Sequence, residues 1–280
     1  MPEMQNKSFL TNLIKGVSKR ATRLLHNPYK DLNISPLYLK YLKHLPPGEI
    51  KKHKMPDGEV QFINPQEFLH AVDELFIEEI YKLQLPDNAF IIDCGANIGM
   101  SIIYLKKNFE QAHIIAFEPD EKNFLLLKNN VAAFGFTKVD LRMEAVWIEN
   151  TNLSFASEGS MSSKIDDKNV SSTQVKAIRL KELLNKHVDF LKIDIEGAEY
   201  EVLKDIKDQL HFVENMFVEY HGNFDQNNEL VELFDIFQKA GFVFYIKEAT
   251  SVYDHPFFDA KQGIKKHYDL QLNIFCFRKN

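Results

Sequence analysis

Hydrophobic and polar positions divide the chain near residue 89. Before it the pattern is helical or irregular. After it, short apolar runs alternate with amphipathic stretches. Residues 8–25 set Phe9, Leu10, Leu13, Ile14, Val17, Ala21, Leu24 and Leu25 on one face at helical period, with Lys15, Lys19 and Arg23 on the other. This predicts an amphipathic helix that packs on its own domain or a second subunit, or lies on a membrane surface. Residues 27–58 carry Pro28, Pro36, Pro46, Pro47 and Pro56 and read as irregular, with a turn at Asp57-Gly58. A short strand over 59–63 and a helix over 65–83, with Pro65 at its first position, complete a mainly helical extension over residues 1–85.

From residue 86 to 280 the pattern predicts one α/β domain. Strands are expected over 89–94, 113–118, 139–146, 188–194 and 215–220. Helices are expected over 98–108, 120–134, 199–206 and 228–240, and a short one over 181–186. Segments 153–156 and 174–179 read as an added strand pair around a Ser/Asp-rich loop, and 242–247 and 271–277 as late strands. Strands alternating with helices at this spacing imply a doubly wound, mostly parallel twisted sheet flanked by helices. The loop over 250–268 is long for a compact domain, as lids often are.

Composition adds exclusions. Hydrophobic residues are 45% and charged residues 26% of the 280, as in an ordinary globular protein. The net charge of -6 argues against a nucleic-acid partner. Cys94 and Cys276 lie in apolar runs without metal-ligand spacing, which implies buried, reduced thiols and a cytoplasmic setting. No apolar run reaches the roughly 18 residues of a membrane span, and no signal-peptide core precedes Lys15.

The segment from Phe90 to Gly99 reads FIIDCGANIG, placing Asp93, Gly95, Ala96, Asn97 and Gly99 where the first strand turns into a helix. In an open α/β sheet, ligands bind beyond the carboxyl ends of the strands. A dinucleotide site wants G-x-G-x-x-G and a helix start facing pyrophosphate. Asn97 stands at the second glycine and Asp93 brings a carboxylate, which suits a ligand with a cationic amino acid end, as in S-adenosylmethionine (SAM). Glu118, followed by Pro119 at the tip of the second strand, is placed to accept hydrogen bonds from ribose hydroxyls. Glu144, Ala145 and Val146 end the third strand, where an adenine would lie; Glu144 could meet its amine, or Val146 pack on the ring. Ser160-Met161-Ser162-Ser163 reads as a solvated loop or part of that pocket.

A second cluster follows. Lys192, Asp194 and Glu196 alternate at the end of the fourth main strand, and Glu219 and His221 end the next. Ionisable groups at that density in a buried strand are costly unless paired or used. His221 or Asp194 is placed to take a proton, while Glu196 and Glu219 orient an acceptor or hold a divalent ion. No spacing compels a metal, and none of these residues is assigned as a ligand.

The runs IDCGANIG (92–99), FEP (117–119), LKIDIEGAE (191–199) and VEYH (218–221) resemble the FkbM family of methyltransferases over about residues 60–247. The resemblance implies a Rossmann-like class I methyltransferase fold, SAM as cofactor, and O-methylation of a sugar, polysaccharide or natural product. It implies a small-molecule or glycan acceptor, and leaves a homodimer or peripheral contact through the first helix open. Two rivals differ in class. An NAD-linked Rossmann oxidoreductase would need the glycine pattern that Asn97 and Asp93 break. A non-catalytic interaction module on the same fold would show cofactor residues eroded, whereas Asp93, Gly95, Gly99 and Glu118 are all present.

Overall fold

A computed structural model describes residues 27–156, 172–262 and 266–279. The helix expected over 8–25 and the Ser160–Ser163 stretch lie outside the described residues. The chain divides into two compact units, Met1–Ile80 and Tyr81–Asn280.

In the first unit, residues 27–58 are more ordered than their prolines suggest. Helix α1 (Pro36–His44) starts on Pro36, which needs no amide partner there, and Ser35 caps it by accepting from the Tyr38 amide at 3.1 Å. Strands β1 (Lys51–Met55) and β2 (Gly58–Phe62) form an antiparallel hairpin around the expected Asp57-Gly58 turn. Their alternation buries His53, Met55, Val60 and Phe62. The extension is therefore part sheet. Helix α2 (Pro65–Val72), capped by Asn64, passes into a wider π turn over Asp73–Ile77. It stops short of residue 83 because Glu79 takes a left-handed φ of 50°. Phe62 and Phe68 stack at 4.2 Å between ring centroids and anchor this unit's core.

The second unit is built on a seven-stranded sheet. Its strands are β3 (Phe90–Cys94), β4 (His113–Phe117), β5 (Val139–Arg142), β9 (Val188–Ile193), β10 (Val213–Gly222), β11 (Val243–Glu248) and β12 (Leu270–Phe277), in spatial order β11-β12-β10-β9-β3-β4-β5. All neighbours are parallel except β12, which runs antiparallel to both β10 and β11. Helices α3 (Met100–Asn108), α4 (Glu121–Ala133), α5 (Glu199–Ile206) and α6 (Asn227–Lys239) connect the parallel strands. The β3 and β9 runs are apolar except for Asp93, Asp189 and Lys192, because both faces of a central parallel strand are covered. Their Ile92, Cys94, Leu191 and Ile193 join Val202, Leu203, Val218 and Phe237 in the main core.

The third strand differs from its expected form. It leaves the large sheet after Arg142, and Ala145–Trp147 (β6) instead pairs with β8 (Ser172–Arg179), which also pairs with β7 (Thr151–Ala156). One expected strand thus serves two sheets, with exposed Met143 and half-buried Glu144 at the bend. The short helix expected over 181–186 is a single 3-10 turn, Leu180–Glu182. Among the described residues, no helix is long and apolar enough to cross a membrane.

Candidate active site

The turn after β3 is fixed from two directions. The Gly95 and Ala96 amides donate to the Phe117 carbonyl at 3.0 and 2.8 Å, tying the turn to β4. Gly95 has φ +90°, and a Cβ there would lie 1.8 Å from the Asp194 carbonyl oxygen. Glycine is required because the end of β9 crosses directly over the turn. Asp93 is fully enclosed. Its Oδ2 accepts from Ser101 Oγ at 2.5 Å, and its Oδ1 faces the Lys192 ammonium at 3.4 Å. The carboxylate therefore braces the turn from behind, with no atom open to the crevice.

Lys192 binds the two clusters together. It is buried, donates to the Gly95 carbonyl at 2.7 Å, and pairs with Asp194 at 3.1 Å. Burial alone would lower its pKa, but Asp194 and Asp93 outweigh that and hold it well above the usual lysine value.

Glu118 lies just past β4. Its two oxygens accept from the amides of Asn97 (2.8 Å) and Asp120 (2.9 Å). Asn97 takes φ +48° to present its amide. Burial pushes the Glu118 carboxyl up to about 7, against the lowering pull of the two amide bonds. Each oxygen keeps a second lone pair, which suits the hydroxyls of a ribose. Pro119 follows it, and Gly99 begins α3. Glu144 is ion-paired with Lys176 on β8. Ala145 and Val146 are buried in apolar clusters, Ala145 in that of the small sheet and Val146 in the main core.

The acidic cluster assembles at the ends of β9 and β10. His221 lies within a strand, because β10 runs on past residue 220 to Gly222 in register with β12. Its side chain is 2% exposed. Nδ1 donates to Glu199 Oε1 at 3.2 Å, and Nε2 lies 3.6 Å from Glu219 and 3.7 Å from Glu196. Burial would lower the imidazole pKa, but the bonds to Glu199 and Glu219 and the charges of Glu199 and Glu196 lift it to about 11. Glu196 sits at φ +55°, a left-handed backbone that a bulky residue adopts only where its surroundings impose it. Burial pushes its carboxyl up to about 7 against the His221 charge, and Asp194, Glu199 and Glu219 add to the rise.

Two participants were not assigned from sequence. Glu199 is fully enclosed and accepts from the amides of Ile195 and Gly197 as well as from His221. It is the first residue of α5, while the Glu196 side chain is half exposed. Its signal was its place in the LKIDIEGAE run. Tyr268 stacks on His221 at 4.8 Å between ring centroids and donates to the Glu196 carbonyl at 2.7 Å. Nothing in its local sequence marks it, since it arrives from 72 residues away. Asp194, Glu219 and His221 can bring one donor atom each within 4.8 Å of one another.

The model of the methyltransferase FkbM domain matches residues 93–244. The chain is 28% identical over 220 residues to Methyltransferase 1 of Beauveria bassiana, covering 65% of this chain and 88% of that protein. It is 28% identical over 187 residues to methyltransferase sdnD of Sordaria araneosa, covering 52% and 72%. The crystal structure of methyltransferase FkbM from Methylobacillus flagellatus KT aligns at TM-score 0.49 and 16% identity over 73% of this chain; the chain spans about half the length of that structure, 47%. The order of the large sheet, the braced glycine turn and the match across residues 93–244 agree: the chain belongs to the FkbM family of SAM-dependent methyltransferases.

Proposed function

We propose that this enzyme transfers a methyl group to a hydroxyl oxygen of a sugar, polysaccharide or natural product. One observation carries the reading: Lys192 joins Asp93, the Gly95 carbonyl and Asp194, so the cofactor turn and the carboxylate cluster share one strand edge. Glu118 would hold the ribose of SAM, the Gly95–Asn97 turn would lie against its amino acid end, and the Glu144–Val146 bend would border its adenine. When bound, SAM supplies an electrophilic methyl on a sulfonium. The acceptor oxygen bonds to that methyl carbon as the sulfur–carbon bond breaks, leaving a neutral thioether.

The chain's own residues position the hydroxyl and take its proton. Glu196 is the most accessible carboxylate, with its side chain 53% exposed against 25% for Asp194 and 19% for Glu219. In place of His221 or Asp194, Glu196 takes the proton. His221, with carboxylates about both ring nitrogens, positions them, and Asp194 and Glu219 accept hydrogen bonds from the acceptor.

The test is a transfer assay with labelled SAM across sugars, glycans and polyhydroxylated natural products, with the product's methoxyl located by NMR. Glu196→Gln should lower kcat by roughly 10²–10⁴-fold, the range of acid–base assistance, with SAM affinity unchanged. Methylation confined to nitrogen or carbon acceptors would overturn the oxygen assignment.

A further inference from the structure

We infer that Asp194, Glu219 and His221 form a binding site for one divalent cation of the Mg²⁺/Mn²⁺ class, placed to hold the acceptor oxygen. The inference rests on the O-methylation reading for its purpose, though not for its geometry. Three observations support it.

The first is the donor set. Asp194 lies just past β9, its amide bonded to the Cys94 carbonyl, and Glu219 and His221 lie on β10 in register with β12, so their backbones are fixed by the sheet. Their donor atoms lie within 4.8 Å of one another. Opposite ligands of an octahedral ion with bonds of about 2.1 Å are about 4.2 Å apart, so small side-chain rotations complete the site. An oxygen-rich set suits a hard cation, and a single imidazole is compatible with Mn²⁺.

The second is the buried histidine. His221 has an enclosed side chain, and its Nε2 aims between the carboxylates of Glu219 at 3.6 Å and Glu196 at 3.7 Å. Its other nitrogen is fixed on Glu199, a carboxylate with no exposure of its own that the Ile195 and Gly197 amides hold in place. A carboxylate behind the far nitrogen of an imidazole is the usual support of a metal-ligating histidine, since it fixes the ring and the tautomer. A histidine serving only to pack would not need that support and an outward nitrogen facing two further acids.

The third is the charge balance. Ligation at Nε2 displaces a proton and leaves His221 neutral, so within this group Asp93, Asp194, Glu196, Glu199 and Glu219 then have Lys192 as their cation, paired with Asp93 and Asp194. Lys192 holds one oxygen of Asp194, and its other cation-facing contacts are Asp93 and the Gly95 carbonyl, so Glu219 and the second oxygen of Asp194 are left for an incoming cation. A divalent ion there would offset the excess and, bound to an acceptor hydroxyl, lower its pKa beside Glu196.

The experiment is a Mn²⁺ titration of the full chain followed by electron paramagnetic resonance at physiological ionic strength, with Co²⁺ absorption as a second readout of nitrogen ligation. One Mn²⁺ per chain is expected. Asp194→Asn and Glu219→Gln should each weaken it by roughly tenfold or more. His221→Gln should shift the Co²⁺ ligand-field bands. Melting curves and SAM calorimetry on the same samples establish that the variants are folded. Saturable Mn²⁺ binding lost in both carboxylate variants supports the site. No stoichiometric ion, or binding retained in both variants, overturns it. SAM binding without metal binding would end this inference alone; metal binding without SAM binding or methyl transfer would end the functional reading alone.

Discussion

Glu118 carries opposing consequences for binding and stability. Its carboxyl stands at about 7 in the fold against an ordinary value near 4.5, so the folded chain holds a proton that the unfolded chain gives up. The stability it contributes is therefore present below about pH 4.5 and lost as pH rises through about 7. Ribose hydroxyls need the ionised form as acceptor, so binding follows the other direction. SAM affinity should be flat above about pH 7.5 and fall by about tenfold per unit below 7, in calorimetry from pH 8.5 to 5.5. An affinity that does not change over that range would mean that Glu118 does not hold the ribose. Tyr268 makes a narrower prediction. Tyr268→Phe keeps the ring on His221 and deletes the bond to the Glu196 carbonyl, worth about 0.5–1.5 kcal/mol. Steady-state kinetics should show a loss of roughly two- to tenfold in kcat/KM for the acceptor, with the SAM dissociation constant unchanged.

The turn between β3 and α3 is the element with the least freedom. Gly95→Ala would drive a methyl into the Asp194 carbonyl, a backbone atom that the sheet prevents from moving. We expect a loss of more than about 4 kcal/mol in denaturant unfolding, or no soluble protein. A variant that melts like the parent would mean the crossing is looser than described. Arg278, just past β12, donates to the carbonyls of Leu210, Val213 and Ala240 and lies over the Phe242 ring. Arg278→Ala should cost about 2–4 kcal/mol, and Arg278→Lys should recover less than half, because an ammonium cannot reproduce the planar fork. Urea midpoints of the three proteins decide it. Elements of this kind were legible in sequence to different degrees. β3, β4 and β9 announce themselves because central parallel strands are apolar on both faces. The break at Met143-Glu144 does not, since apolar periodicity cannot tell which sheet a strand joins. The hairpin of β1 and β2 was half visible: Asp57-Gly58 marked its turn, but the polar, lysine-rich outer face of β1 hid the strand. At the candidate site, Asp93, Glu118, Asp194 and His221 were singled out by their strand-end positions. Glu199 and Tyr268 were not, because enclosure and a contact from 72 residues away leave no local pattern.

At the scale of the whole molecule, the assigned site residues fall between 93 and 268, inside the second unit, while the first unit has an aromatic core of its own. Phe68→Ala removes the ring stacked on Phe62 and should destabilise that core by about 3–5 kcal/mol. Amide exchange should accelerate in residues 27–80 far more than in β3, β9 and β10. Equal acceleration throughout would mean that the two cores melt as one. The antiparallel insertion of β12 has a consequence for the order of manufacture. The glycine turn and Glu118 leave the ribosome long before β12, yet His221 is paired with Gln271, and Tyr268 reaches the cluster from the threshold of that strand. During synthesis the nascent chain can form the cofactor turn while its acceptor end stays open. Competence to transfer a methyl group would then arrive abruptly, with the synthesis of β12.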